Sequence, residues 1–410
     1  MEDDPDSQAL LKAGYHNLMS VACGLRGPRG PLFKRSIQNY LFTFHGYFGA
    51  AVSVYLTVEI LTTYATATDL EFTKEMFLLV PLITGTHSNI NFFYMEYCRP
   101  RFIRMLRMNE EASKDKFYEE GLQEEIKLWA ARARKLQPLL YFIVSAPVFP
   151  WGMSPILNPS RRDVAFDLWF PYDINDLKYW VLTLCIQTTA GFYATLQNVM
   201  FDAVFFCFTF RILALLVHLK KTFKHIFHVI HVNAAGHVFY TDYSGRAAYR
   251  EEIEDQLTER LTYWISQHQA TMRLLNELEA LYSIPLLFHF IHAGSVLATG
   301  AAVLVKGNLP LGELYFVTVH LLGLIATLFV ICRIGDLLKT QTSEILDGLA
   351  GKNYFMLSKY QRTILKTLLI GSKEPFVVRV VQTFPLNTET FKSIIATTYS
   401  FFTLFQKAKG

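Results

Sequence analysis

Four hydroxyl residues near the end of the chain are spaced for work along one face of a helix. At about 100° per residue, Ser393, Thr397, Ser400 and Thr403 fall within one third of the circumference, and Leu404 sits in the same sector. Hydroxyls in a row can line a wet path, and a lone aliphatic among them can close it by dewetting. The same hydroxyls could instead bond a neighbouring helix, a common use of small polar residues in membranes. Lys407 continues the sector. In a symmetric assembly its ammonium groups would ring one mouth of such a path and raise the barrier for cations.

A second set has the chemistry of a small-molecule pocket. Phe77, Val80, Ser145, Phe149, Trp151, Gln187, Thr188, Tyr193, Tyr315 and Phe316 fall toward one end of their predicted spans. Apolar and aromatic walls with one or two hydrogen-bonding groups suit a small, mostly apolar ligand, and Gln187 is the candidate polar contact. Ordinary helix packing is the alternative for any one of them. Asp202, in QNVMFDAVFF, is an acid on a membrane-length helix and is expected in a structural pair. His225, His228 and His231 could share a helix face, but no carboxylate or cysteine completes a zinc set, so no metal and no cofactor is expected. GxSxG, P-loop and HExxH patterns are lacking, which gives no catalytic reading.

Composition says what must hold these residues. With 51% hydrophobic, 15% aromatic and only 18% charged residues, the chain reads as a membrane protein. A net charge of +4 is no argument for nucleic acid. About 20 helical residues cross a bilayer. Seven stretches qualify as spans: 40–64, 72–93, 139–152, 177–219, 281–305, 311–332 and 386–406. The second passes through TGTHSNIN, whose polar half requires protein around it. The third is short and holds Pro147 and Pro150; the fourth is far longer than a bilayer demands. The leader 1–38 has no cleavable signal pattern and holds a possible amphipathic helix at 9–19.

Lys and Arg set the orientation. The leader and the second, fourth and sixth inter-helix segments carry 5, 10, 8 and 8, against 0, 3 and 1 in the first, third and fifth, with Lys178 and Arg211 of the overlong fourth span counted with the segments they adjoin. The positive-inside rule then places the N-terminus in the cytosol, and seven spans place the C-terminus outside. That is the reverse of a G-protein-coupled receptor, and neither a DRY-like triplet nor NPxxY is found. The aromatic loop at 158–180 reads as an ordered outer lid. The scattered cysteines imply no disulfide framework.

The stretch SKEPF…TFPLNTETFKSIIATTYSFFTLF resembles the C-terminal signature of insect odorant receptors, in which a basic-proline element precedes a "PLS-x-ETF" turn and a "YSYFTLL" helix. Lys373, Pro375, Pro385, Leu386, Glu389, Thr390, Phe391, Tyr399, Ser400, Thr403 and Leu404 carry the match. HQATMRLLNELEALYSIPLLFHFI and GDLLKTQTSEILDGL are similar as well, and Asp202 matches an acid common in the fourth helix. Asn387 stands where serine is usual, and Glu374 interrupts the basic-proline pair.

The resemblance implies an all-α, seven-transmembrane-helix protein in the plasma membrane of a sensory neuron dendrite, in contact with membrane lipid. It implies a ligand-gated cation channel whose pore is lined by the last helix, 386–406, and a ligand site for a small volatile odorant among spans two to six. A cytoplasmic helical anchor falls at about 205–275 and 333–384, after a cytoplasmic segment 1–39. The implied partner is the odorant receptor co-receptor, in a heterotetramer; a 410-residue chain lacks room for the co-receptor's long second intracellular loop and reads as the ligand-tuning subunit. A gustatory receptor of the same superfamily is the alternative, although its TY-five hydrophobics-QF ending is missed by one residue at Gln406.

Overall fold

The computed structural model describes residues 37–66, 72–145, 168–232, 238–306, 311–349, 357–371 and 374–407, with positions 148, 152, 155, 164 and 166 besides. Among these, seven helices reach 20 residues or more. They are α1 (Ile37–Thr66), α2 (Phe72–Tyr97), α4 (Glu119–Ser145), α5 (Leu177–Ile226), α6 (Arg250–Lys306), α7 (Leu311–Leu349) and α9 (Thr388–Lys407). Two shorter ones, α3 (Arg99–Ala112) and α8 (Lys359–Gly371), complete the helical set. Short strands pair as β1 (Ile230–Val232), β2 (Val238–Thr241) and β3 (Ala247–Ala248), and as β4 (Arg379–Val380) with β5 (Phe384–Pro385), all antiparallel.

The seven long helices fall on the seven expected spans. Four are long and apolar enough to cross a membrane by themselves: α1, α5, α6 and α7. The other three are polar for identifiable reasons. Helix α2 carries the TGTHSNIN run, the first half of α4 is charged, and α9 is interrupted by its hydroxyls. The third expected span, 139–152, begins inside α4; Pro147 and Pro150 lie outside the described residues, as does the expected leader helix at 9–19.

Helix α5 is the axis of the bundle. It is 50 residues long, and from Val199 through Leu216 every residue is buried. A helix apolar all round belongs in the middle of a protein, and α2, α4, α6 and α7 all pack on it. Its start is fixed by Asp176, whose carboxylate accepts from the Lys178 amide at 3.1 Å.

The lysine- and arginine-rich end of the bundle is held by polar and aromatic contacts. The Arg260 guanidinium lies 3.7 Å from the Tyr243 ring centroid and 4.5 Å from that of Phe117, and donates to the Tyr118 hydroxyl at 2.9 Å. Trp264 Nε1 donates to the Leu219 carbonyl at 2.9 Å. Half-buried Asp115, on the turn between α3 and α4, faces His218 Nε2 at 2.8 Å. Burial pushes the Asp115 carboxyl up, but the bonds from His218 and from the Phe117 and Tyr118 amides outweigh it, and the net shift is downward. On the β2–β3 turn, hydrogen bonds from Ser244 and Arg246 bring the Asp242 carboxyl down to about 2. That turn needs Gly245, which sits at φ 86°.

The three histidines expected on one helix face do not share one. Helix α5 ends at Ile226, so His228 falls in a 3-10 turn and His231 on β1. His225 stacks near Tyr118, and His231 hydrogen-bonds Thr241 Oγ1 at 2.9 Å. The strand that follows the helix destroys the 3.6-residue phase on which the expectation rested.

Candidate binding cavity and the last helix

Between α1, α2, α5 and α7 lies a cavity of about 40 Å³, under the lid residue Phe166. Leu56, Val80, Ala194 and Phe316 give it apolar walls; Ser53, Thr84, Thr195 and His320 bring polar groups. Close helix approach creates the space. A side chain on Gly85 would come within 2.9 Å of Thr57 Oγ1, so α1 and α2 meet there only because residue 85 has none. Pockets that hold small molecules usually measure about 300–1,000 Å³, so this space is well below that range as it stands.

The lid is tied down by backbone bonds. Gln187, completely buried on α5, accepts from the Phe166 amide at 3.0 Å and donates to the Phe166 carbonyl at 2.8 Å. The Trp169 amide donates to Thr63 Oγ1 at 2.9 Å, and the Tyr172 hydroxyl pairs with Thr183 Oγ1 at 2.8 Å. The loop expected to be an ordered lid is therefore anchored, in its described part, to α1 and α5.

The expected pocket residues divide into groups. Val80 and Phe316 line the cavity. Phe77 packs on its roof, with ring centroids 5.9 Å from Phe166, and Gln187 spends both amide groups on the same residue. Tyr193 packs instead against Gly49 of α1, where a Cβ would lie 2.3 Å from its ring; Thr188 packs on Gly152. Tyr315 is exposed on α7. Phe149 and Trp151 lie outside the described residues, as does the side chain of Ser145.

Thr84 and His320 went unassigned, although both left a trace in the sequence. Thr84 opens the polar run on α2, and His320 interrupts an otherwise apolar helix. Thr84, His87, Ser88 and Asn91 are all buried, at the i, i+3, i+4, i+7 spacing of one helix face. Ser88 Oγ donates to Gln197 Oε1 at 2.5 Å, and Asn91 Nδ2 to Asn198 Oδ1 at 3.3 Å. The protein surroundings required for the polar half of α2 come from both α5 and α6.

Helix α9 begins where its sequence says it should. Asn387 Oδ1 accepts from the Thr390 amide at 2.8 Å, and Asp336 of α7 accepts from the Thr388 amide at 3.1 Å. Gly335 admits this junction, because a Cβ there would lie 2.0 Å from the Leu386 carbonyl oxygen. Helix α9 packs against α6 and α7 with Thr398 buried, while Ser393, Thr397, Ser400 and Leu404 are exposed and Thr403 and Phe402 half-buried. Ser400 Oγ donates to the Ala396 carbonyl at 3.1 Å and Thr403 Oγ1 to that of Ser400 at 2.8 Å, so these hydroxyls bond their own helix. The side chain of Lys407 lies outside the described residues.

A helical bundle with four apolar helices long enough to cross a bilayer defines a multi-pass membrane protein. The family model described as 7tm Odorant receptor matches residues 71–399, and the chain belongs to that family. It is 25% identical over 245 residues to Odorant receptor 67c of Drosophila melanogaster, covering 59% of this chain and 55% of that protein. It is 28% identical over 165 residues to Odorant receptor 2a of the same species, covering 40% of each. The chain thus spans about half the length of the curated relatives it matches. The insect olfactory receptor OR5 of Machilis hrabei, solved in complex with eugenol, shares the fold at a TM-score of 0.75 over 98% of both chains, with 10% identity. The same receptor's structure described without eugenol aligns at a TM-score of 0.76 over 97% of both.

Proposed function

We propose that this chain is the ligand-tuning subunit of an odorant-gated, non-selective cation channel, with α9 lining the pore. The observation that carries the reading is the division of α9 into two faces. Its buried side packs on α6 and α7, while Ser393, Thr397, Ser400 and Leu404 stand exposed together. Exposed hydroxyls bonded to their own backbone suit a wet surface, and Leu404 at 60% exposure is the aliphatic that would narrow it. Phe402 is half-buried on the other side, which favours Leu404 as the gate. Lys407 would follow one turn on, at the mouth.

The ligand is a small, mostly apolar volatile admitted to the cavity walled by Val80 and Phe316. Binding must enlarge the 40 Å³ space, and that expansion between α2, α5 and α7 is the event coupled to α9, since α7 also carries Asp336 and Gly335 at the start of the last helix. The eugenol-bound relative supports a ligand of this size class. The N-terminus lies in the cytosol and the C-terminus outside, in the plasma membrane of a sensory dendrite. The lysine- and arginine-rich ends of α5 to α8 form the cytoplasmic anchor, and the partner is the co-receptor in a heterotetramer. The chain performs no catalysis.

The test is co-expression with the co-receptor in excised patches, challenged with a panel of volatiles. Ligand-evoked cation current within milliseconds, insensitive to GDP-β-S, is expected, and Val80→Trp should abolish it by filling the cavity. A response that needs GTP would contradict the channel reading.

A further inference from the structure

Thr84 faces the cavity on one side and a second polar centre on the other. His87 of α2 and His289 and His292 of α6 meet in the interior of the bundle, each 3–4% exposed. One ligand nitrogen from each lies within 4.8 Å of the other two. The His87 and His292 rings stack with centroids 4.4 Å apart, and His289 stands tilted to His87 at 5.5 Å. Neither ring nitrogen of His289 has a hydrogen-bond partner, nor has Nδ1 of His292. Buried polar atoms are nearly always paired, and an exception points to a bound water or ion.

Two neighbours sharpen the choice. Asp202 Oδ1 of α5 lies 3.7 Å from His289 Nδ1. A carboxylate behind an imidazole fixes its tautomer and turns the other nitrogen toward a metal. His320 of α7 is also buried, with both ring nitrogens unpartnered, on the wall of the adjoining cavity. Three neutral imidazoles and one carboxylate reduce the charge of a divalent ion to +1, a far smaller burden in an apolar interior than the bare cation. Imidazole donors without thiolate match zinc or copper(II) and not calcium or magnesium.

We propose that His87, His289 and His292 form a site for a divalent transition metal of the zinc type, with Asp202 orienting His289 and a water taking the fourth position. At Zn–N bonds of about 2.0–2.1 Å, tetrahedral ligand nitrogens stand roughly 3.3 Å apart. Occupancy therefore unstacks His87 from His292 and draws the rings together. The ion ties α2 to α6 beside Thr84, whose Oγ1 is 3.4 Å from His292 Nε2, so the metal braces one wall of the cavity. This site is independent of the channel reading and stands or falls without it.

The experiment uses the purified full-length chain, stripped with a chelator and titrated with Co²⁺ as a spectroscopic probe and Zn²⁺ as competitor. The expected result is a visible absorption band of four-coordinate Co²⁺, saturating at one equivalent per chain and erased by Zn²⁺. His289→Gln and His292→Gln should each abolish the band. Asp202→Asn should weaken binding by about 10–100-fold, whereas exposed His228→Gln should leave it unchanged. Variants are compared only where gel filtration gives the wild-type profile. Absence of the band in the wild type, which needs no variant, overturns the site; so does a band that survives both histidine substitutions.

Discussion

Replacing Gln187 with Leu should release the lid. The substitution removes both bonds that Gln187 makes to the Phe166 amide and carbonyl, at 3.0 and 2.8 Å. Gln187 is 0% and Phe166 2% exposed, so water cannot replace those bonds while the lid stays closed. Each buried hydrogen bond lost without replacement costs about 1–3 kcal/mol, hence about 2–6 kcal/mol for the pair. Even the lower figure multiplies the opening equilibrium about 30-fold at roughly 1.4 kcal/mol per tenfold. Hydrogen–deuterium exchange reads this without knowledge of the odorant: the Phe166 amide should exchange at least about 30-fold faster. Thr183→Val, which removes one bond to the Tyr172 hydroxyl, should accelerate exchange of the same segment by about tenfold at most. Dose–response curves for every active ligand should shift together, because the damage is to the roof and not to one ligand contact. Unchanged exchange at Phe166 would refute the reasoning.

Other perturbations follow from the same geometry. Gly335→Ala drives a methyl to within 2.0 Å of the Leu386 carbonyl and should suppress evoked current by displacing the start of α9, with surface expression measured in parallel to separate misfolding from misgating. Val381 and Gln382 take positive φ (50° and 58°) in the tight β4–β5 turn; Gln382→Gly should relieve about 1 kcal/mol and raise the melting temperature in detergent. The Asp115 carboxyl is held below its unfolded value of about 3.9, so its stabilisation is complete above that pH and is lost as pH falls through the lower folded value. The melting temperatures of wild type and Asp115→Asn should accordingly differ by a constant amount from pH 7 to about 4.5 and converge below that. Leu404→Ser should raise basal current, whereas the same change at Phe402 should not.

Much of the bundle was legible because hydrophobic length acts locally. The seven spans, the overlong α5 and the Asn387 cap could be read from residue order alone. So could the need to shield TGTHSNIN, since a helix cannot leave that polar face in lipid. The pocket was harder, because facing a cavity depends on neighbours distant in sequence. Gln187 looks like a free hydrogen-bonding group until Phe166 is folded over it. Tyr193 reads as a pocket aromatic until Gly49 brings α1 against its ring. Thr84 and His320 were hidden by their size and isolation, and the histidine centre by chain separation, since residues 87 and 289 become neighbours only in the folded bundle. His225, His228 and His231 failed for the opposite reason: nothing local announced that the helix would stop at Ile226.

The central claim is that the exposed face of α9 lines the conducting path, and cysteine accessibility tests it most directly. Thr397→Cys, expressed with the co-receptor, is exposed during ligand application to a positively charged methanethiosulfonate reagent while current is recorded. The account predicts progressive block that proceeds faster with ligand present, with Thr398→Cys, on the buried face, unaffected. Full-sized current after reagent treatment of Thr397→Cys, with the cysteine shown to be labelled, would contradict it.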